Sequence, residues 1–228
     1  MNATQPSALR RLRNKLNMFY RRHQLARIDF KSGLGESAWL LYGVVRAVRS
    51  NVCVEIGSST GWSTCITALA LEENVHGRLY AIDPHLANDW SDVPGDTLAT
   101  LRANLARIRL AHRVEIVVMK SAAAVDSIPS SIDLLFIDGD HSYRGVKADW
   151  DLFSPKLAPW GVAVFHDSLW EHITAPHILE HKHPDTGVPA FLDELRQAGY
   201  PIITLQSGVG LTLVQGRRQG IPLIPVSG

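Results

Sequence analysis

The run Val52-Cys53-Val54-Glu55-Ile56-Gly57-Ser58-Ser59-Thr60-Gly61-Trp62-Ser63 constrains what this chain can fold into more than any other stretch. A β-branched segment ends in a carboxylate, and two glycines four positions apart then open a helix-forming sequence. Strand, glycine loop and helix in that order start an α/β domain with a nucleotide-type ligand at the loop. The spacing narrows the ligand. A dinucleotide fingerprint reads G-x-G-x-x-G, and a P-loop ends in Gly-Lys-Ser/Thr. Neither is present, and the loop contains no Lys or Arg.

Charge narrows it further. At ~5 Å and an effective dielectric of ~20, a unit charge pair is worth about 3 kcal/mol. Glu55 therefore disfavours a phosphate and favours a cation. The common cofactor that joins an adenosine to a fixed positive charge is S-adenosylmethionine. Downstream, Arg78-Leu79-Tyr80-Ala81-Ile82-Asp83 reads as a second strand ending in a carboxylate, placed to accept ribose hydroxyls. With Glu55-x-Gly57-x-x-x-Gly61 it resembles the cofactor site of class I S-adenosylmethionine-dependent methyltransferases. The resemblance implies a cofactor-binding set of Glu55, Gly57, Ser58, Gly61, Ser63, Asp83, Ser121 and Asp138. In it Gly57 and Gly61 let the backbone approach the methionine part, Glu55 orders it, Asp83 holds the ribose and Ser121 meets the adenine. A Rossmann-type oxidoreductase with a degenerate loop is the rival reading.

The rest of the chain keeps the alternation. Helix is expected over 36–49 with Trp39, Leu40, Tyr42, Gly43 and Val44 on or near one apolar side, strand over 52–56, helix over 61–72 and strand over 78–83. Helix 97–108, strand 114–119, the apolar strand 132–137, helix 143–154 and strand 161–165 follow. Helix 188–198 then leads into strands 201–205 and 211–214, close enough to pair as a hairpin. The expected fold class is α/β and Rossmann-like: a seven-stranded, mostly parallel sheet with a C-terminal antiparallel hairpin and helices on both faces. Residues 1–35 read as a basic helical extension, 36–216 as the methyltransferase domain and 217–228 as a tail.

Two strand ends carry the chemistry. Ile137-Asp138-Gly139-Asp140-His141-Ser142-Tyr143 closes the fourth strand, and Val164-Phe165-His166-Asp167-Ser168 closes the fifth. Ligands in parallel sheets sit at carboxyl ends, and neighbouring strands lie ~4.8 Å apart, so Asp138, His166 and Asp167 are expected to converge. Successive residues of an extended strand point to opposite faces, so both His166 and Asp167 reach one ion only if the backbone turns there. These motifs resemble the metal-dependent O-methyltransferases that act on antibiotic sugars, catechols and phenylpropanoids, together with a broad bacterial group of related small-molecule enzymes. The resemblance implies metal ligands Asp138, His166 and Asp167, with Asp140 as the base that deprotonates a hydroxyl; His141 beside it is the alternative base. Magnesium is the expected ion. His166 departs from the family's carboxylate, and imidazole suits zinc, iron or nickel better. A transition metal, a supporting role for His166 and a lapsed site all stay open.

Bulk properties exclude little but guide the partners. A net charge of +1 gives no global pull towards nucleic acid, and no basic stripe adjoins the candidate site. A small-molecule hydroxyl acceptor is expected. The charge is concentrated at the start, where Arg10, Arg11, Arg13, Lys15, Arg21, Arg22, Arg27 and Lys31 face Asp29 alone. Leu9, Leu12, Leu16 and Phe19 recur there at helical spacing. This helix is expected to pack on the domain or on a partner subunit, giving a homodimer; a transit peptide or an anionic-surface anchor is the alternative. No apolar run suits stable membrane insertion, Cys53 and Cys65 lack ligand spacing, and the cytoplasm is the expected location. His85 and Trp90 are lesser candidates. The loop holding His172, His177, His181 and His183 is expected to lie over the acceptor. A metal-dependent hydrolase or oxygenase and a non-catalytic assembly protein are the other functional classes considered.

Overall fold

The computed structural model describes residues 8–30, 32–86, 95–170 and 186–216, with side chains from residue 15 onward. Lys31, Trp90, the four histidines of 172–183 and the tail 217–228 lie outside the described residues, as do the side chains of Leu9 and Leu12. The strands are β1 (Val52–Ile56), β2 (Arg78–Ile82), β3 (Val114–Val117), β4 (Ile132–Ile137), β5 (Leu157–His166), β6 (Ile202–Leu205) and β7 (Leu211–Gln215). They form one sheet in the order β3-β2-β1-β4-β5-β7-β6. The first five strands pair in parallel, and β7 pairs antiparallel to both β5 and β6.

Alternation along the central strands explains the two layers of helices. Cys53, Leu134, Phe136 and Val164 face one side with α2 (Ala38–Val48), α3 (Trp62–Asn74) and α4 (Thr97–Arg107). Val54, Ile56, Leu135, Ile137 and Phe165 face the other, with α5 (Ser121–Ala124), α6 (Tyr143–Phe153) and α7 (Val188–Gln197). Strands buried on both faces need near-continuous apolar sequence, which is why β1 and β4 read so plainly. Asp133, the one polar residue of β4, is buried and accepts hydrogen bonds from Asn51 N (2.7 Å), Val52 N (3.0 Å) and Trp160 Nε1 (3.1 Å). It ties down the strand ends opposite the site.

Helix starts follow their caps. Asp96 accepts from Ala99 N at 2.9 Å to open α4, and Ser142 accepts from Gly145 N at 3.0 Å to open α6. Each such cap is worth about 1 kcal/mol. Two expectations need adjustment. The buried stripe of α2 is Ala38, Leu41 and Val45, whereas Trp39 and Gly43 are exposed. Strand β5 begins at Leu157 rather than 161, because the pairing with β4 shifts register between Ile132 and Leu134 and so accommodates Pro159.

The N-terminal helix α1 (Ala8–Leu25) lies against the end of α3. Arg21 pairs with Glu72 at 2.9 Å and Arg22 with Glu73 at 2.7 Å, so basic residues of the extension meet acidic ones of the domain. Leu25 is buried, but Leu16 and Phe19 are 61% and 73% exposed. The part of the apolar stripe that is described therefore faces outward. Among the described residues no helix is long and apolar enough to cross a membrane.

Candidate active site

The described residues of the candidate cofactor and metal sets gather at the carboxyl edge of the sheet. The loop after β1 turns tightly: Gly61 N donates to Ser58 O at 2.8 Å, and Gly57 N donates to Ile82 O at 2.9 Å. Gly57 has φ +88°, and a Cβ there would stand 2.1 Å from the carbonyl oxygen of Asp138. Gly61 has φ +92°, and its Cβ would overlap Leu101 of α4. Both positions thus require glycine on two grounds, backbone conformation and close approach.

Three carboxylates hold this loop or border it. Glu55 is 2% exposed, lies under the loop, and accepts from the hydroxyls of Ser63 and Thr64 in the first turn of α3. Burial pushes its pKa up to about 7, against the lowering effect of those two hydroxyls, and the charges of Asp138 and Asp83 push it further. Asp83 accepts from Ser58 N (2.9 Å) and Ser59 N (2.8 Å) on one oxygen and from His85 N (2.7 Å) on the other. Each carboxylate therefore shapes the glycine loop as well as charging it, and Asp83 retains further lone pairs for a ribose. Ser58 Oγ and His85 Nε2 are buried without a hydrogen-bond partner. A crevice bordered by Glu55, Asp83 and Asp138, with no basic residue in its loop, fits a sulfonium-bearing cofactor and opposes a pyrophosphate.

Ser121 begins α5 at the end of β3 and is half-buried. Its side chain bonds to Asp149 of α6, a residue the sequence reading passed over. Asp149 is 4% exposed, and burial raises its pKa to about 6, offset in part by Ser121. The signal was present: Val146, Asp149, Trp150 and Phe153 share one helical face, and an acid on an apolar face needs a reason. Its carboxylate also lies under Gly139, where a Cβ would approach Oδ2 to 3.6 Å.

The second half of the site lies at the ends of β4 and β5. One ligand atom each from Asp138, His141 and Asp167 falls within 4.8 Å of the others. His141 Nδ1 is 2.9 Å from Asp167 Oδ2, and Nε2 is 3.5 Å from Asp138 Oδ1. His166 is behind them, 7% exposed, with Nδ1 2.9 Å from Asp138 Oδ1 and 3.2 Å from Asp167 Oδ2. Asp167 adopts φ 56°, the turn that lets its carboxylate reach the same spot as His166. Its Oδ1 accepts from Trp170 Nε1 at 2.7 Å, while buried Oδ2 has no hydrogen-bond partner. Burial acts to lower the pKa of His141, but Asp138 and Asp167 outweigh it and raise it to about 10. The same two imidazoles hold both carboxyls below their usual range despite burial. Two carboxylates and an imidazole, with one atom of each within 4.8 Å of the others, fit a divalent cation.

Asp140 stands apart on the exposed rim, where Oδ1 accepts from Ser142 N at 2.9 Å. The structure thus brings Asp138, His141, His166 and Asp167 together and leaves Asp140 at the edge. It also adds a wall that periodicity did not suggest. Trp62 Nε1 donates to Gly35 O at 2.7 Å, the Phe30 and Trp62 rings lie 4.8 Å apart, and Ser37 Oγ meets Ser207 Oγ at 2.7 Å. Phe30 and the segment 32–37 therefore lie along the edge from the glycine loop to the β6–β7 hairpin, passing His166, whose Cε1 would be 3.7 Å from a Cβ at Gly33.

A methyltransferase-domain family model matches residues 54–168, half of the chain, from β1 through the cluster at the end of β5. The chain belongs to this methyltransferase-domain family. Solved structures share the fold. The O-methyltransferase TomG of Streptomyces achromogenes, involved in tomaymycin synthesis and solved with S-adenosylmethionine, superposes with a TM-score of 0.63 at 18% identity, covering 94% of this chain and 92% of its own. The O-methyltransferase of Bacillus cereus, solved with S-adenosylhomocysteine, gives 0.63 at 16% identity, covering 94% of each chain. By sequence, the uncharacterized protein y4gI of Sinorhizobium fredii is 30% identical over 141 residues, which is 58% of this chain and 15% of that protein. The chain spans a fifth or less of the length of the curated relatives it matches.

Proposed function

We propose that this chain transfers the methyl group of S-adenosylmethionine to a hydroxyl of a small molecule, with a divalent cation assisting. One observation carries the reading: Asp138 belongs to both halves of the site. Its backbone is locked to β1, with N donating to Ile56 O at 2.9 Å and its carbonyl under Gly57, while its carboxylate belongs to the cluster with His141 and Asp167. A methyl donor over the glycine loop and an acceptor hydroxyl at the cluster are thereby held in fixed relation, which is what an in-line displacement requires.

In this reading Glu55 and Asp83 fix the loop, and the anionic crevice favours the sulfonium over its neutral product. Asp138 and Asp167 supply the cation's oxygen ligands. A bound divalent ion would lower the pKa of the acceptor hydroxyl as a Lewis acid. Asp140, on the exposed rim, takes the proton, a contribution of roughly 10²–10⁴-fold for a positioned base. A cavity of about 530 Å³ between the end of β5, α7 and the β6–β7 hairpin is lined by Ser168, Leu169, Pro189, Leu192, Arg196 and Thr204 among others, and Ser168 follows Asp167 in the chain. Sugar, polyketide and phenolic hydroxyls are the acceptor types that the related O-methyltransferases suggest. The outward stripe of Leu16 and Phe19 is the surface that a second copy of the chain would cover.

The test is methyl transfer from labelled S-adenosylmethionine to a panel of hydroxyl compounds, with and without a chelator. Label appearing on a hydroxyl, and lost on chelation, is expected. Transfer only to nitrogen or carbon, or transfer that ignores the chelator, contradicts the proposal.

A further inference from the structure

The segment 32–37 touches both halves of the site edge and is held there by surface contacts. At one end, Gly35 O accepts from Trp62 Nε1 at 2.7 Å, and Trp62 directly follows Gly61 of the glycine loop. At the other, Ser37 Oγ meets Ser207 Oγ at 2.7 Å on the tip of the β6–β7 hairpin. In its course, a Cβ at Gly33 would stand 3.7 Å from Cε1 of His166, whose Nδ1 lies 2.9 Å from Asp138 Oδ1. Leu34 is buried in the core cluster beneath α2 and α3, whereas Ser32, Gly33, Gly35 and Glu36 are exposed. A Cβ at Gly35 or at Gly208 would meet nothing within 4 Å, so the backbone beside each end of the Ser37–Ser207 contact is not packed in.

Ties of this kind release readily. An exposed hydrogen bond can be traded for one to water at little net cost, and both the indole bond and the hydroxyl pair are exposed. One leucine supplies the buried anchor. Segments with few buried apolar contacts and solvent-facing hydrogen bonds form the low-stability end of a fold, from which lids are drawn. The floor of the crevice is built in the opposite way. Gly57 N on Ile82 O, Gly61 N on Ser58 O and the Ser58 and Ser59 amides on Asp83 fix it through the backbone. A rigid floor thus lies beside a releasable wall.

We infer that segment 32–37 is a gate on the cofactor crevice, latched by Ser37 on Ser207 and by Gly35 on Trp62, with Leu34 as its plug. It swings away for S-adenosylmethionine to enter and for S-adenosylhomocysteine to leave. This rests on the methyltransferase reading above and adds a conformational step to it. A ligand reaching from Gly57 and Gly61 towards Asp138 has the latched segment along its flank. Closure keeps water, a competing nucleophile, away from the sulfonium while the acceptor hydroxyl is in place. The gate acts on exchange of the cofactor rather than on its equilibrium affinity.

The test locks the latch. Side chains whose hydroxyls touch lie within reach of a disulfide, so the full chain carrying Ser37→Cys and Ser207→Cys is oxidised and then reduced. Cys53 and Cys65 are buried in the core and do not compete. Stopped-flow mixing with S-adenosylhomocysteine gives both rate constants. Oxidation should slow association and dissociation alike by about 100-fold, keep Kd within about twofold, and be reversed by reductant. A purely structural role would instead raise Kd. Ser207→Ala and Trp62→Phe, which each remove one tie, should speed dissociation about fivefold, and they decide the matter if the cysteine pair does not bridge. Rates that ignore a bridge confirmed by mass, or unchanged dissociation in both single variants, overturn the gate and leave the methyltransferase reading standing. Failure of the unsubstituted chain to bind S-adenosylhomocysteine defeats that reading and the gate together.

Discussion

The crevice at the ends of β1 and β2 and the cluster at the ends of β4 and β5 share one sheet edge but are held by different means. The first is a backbone construction. Two left-handed glycines, the amides of Ser58 and Ser59 on Asp83, and two α3 hydroxyls on Glu55 fix its shape before any ligand arrives. The second is a side-chain construction, in which four groups from two strand ends meet through rotamers and one strained residue, Asp167. Backbone sites tolerate change at few positions and fail as a unit. Side-chain sites can exchange one donor for another, which alters the chemistry without disturbing the fold.

Substitution should expose that contrast. The largest effect is expected from Gly57→Ala. Its Cβ would need the space of the Asp138 carbonyl, and φ +88° is costly for alanine, so a loss of about 3 kcal/mol in unfolding free energy is expected together with loss of S-adenosylhomocysteine binding. A variant with wild-type melting and titration would show that the loop is not built as described. Next is Asp167→Asn, which keeps the shape but removes the charge. Ion affinity should fall about 100-fold while cofactor affinity stays nearly intact. Equal losses in both titrations would mean that the two halves are not separable.

The same contrast governs how much could be read from the chain alone. Strands β1 and β4 lie where their apolar runs place them, and helix 143–153 begins beside its Ser142 cap. The seven strands and the terminal hairpin follow from the alternating elements, whereas the order β3-β2-β1-β4-β5-β7-β6 is a property of the fold. The tight loop after β1 was legible because glycine spacing reports backbone conformation directly. At the cluster, sequence identifies the donors but not their directions. His141 and His166 are equivalent as letters, and only the placement of each ring shows which of them shares the 4.8 Å cluster with Asp138 and Asp167. Asp149 was signalled by the apolar helical face it shares with Val146, Trp150 and Phe153, whereas the wall at residues 30 and 32–37 has little periodicity to read. The outward direction of Leu16 and Phe19 was not readable either, since an amphipathic pattern names an apolar face without naming what covers it.

Smaller effects refine the picture. Glu55 has its pKa raised by burial to about 7, from an ordinary value near 4.5. The folded state therefore holds this proton more tightly than the unfolded chain. Stability from this group is fully present below pH 4.5 and is lost as pH rises through about 7. Glu55→Gln should remove roughly 2 kcal/mol of the pH dependence between pH 5 and 8 in urea unfolding. Parallel curves for both proteins would contradict a buried, proton-binding Glu55. The smallest effect on folding is expected from Phe19→Ser, within about 0.5 kcal/mol because the ring is exposed. Sedimentation should nonetheless shift towards monomer if α1 docks a second copy, and an unchanged mass would remove that surface from the interface.

Calorimetric titration of the full chain with S-adenosylhomocysteine, beside NAD and ATP, tests most directly whether the anionic glycine loop holds an adenosyl-sulfur compound. One site per chain for S-adenosylhomocysteine, abolished in Gly57→Ala, with no heat from either phosphate-bearing ligand, is the expected result. Binding of NAD or ATP with no response to S-adenosylhomocysteine would contradict it.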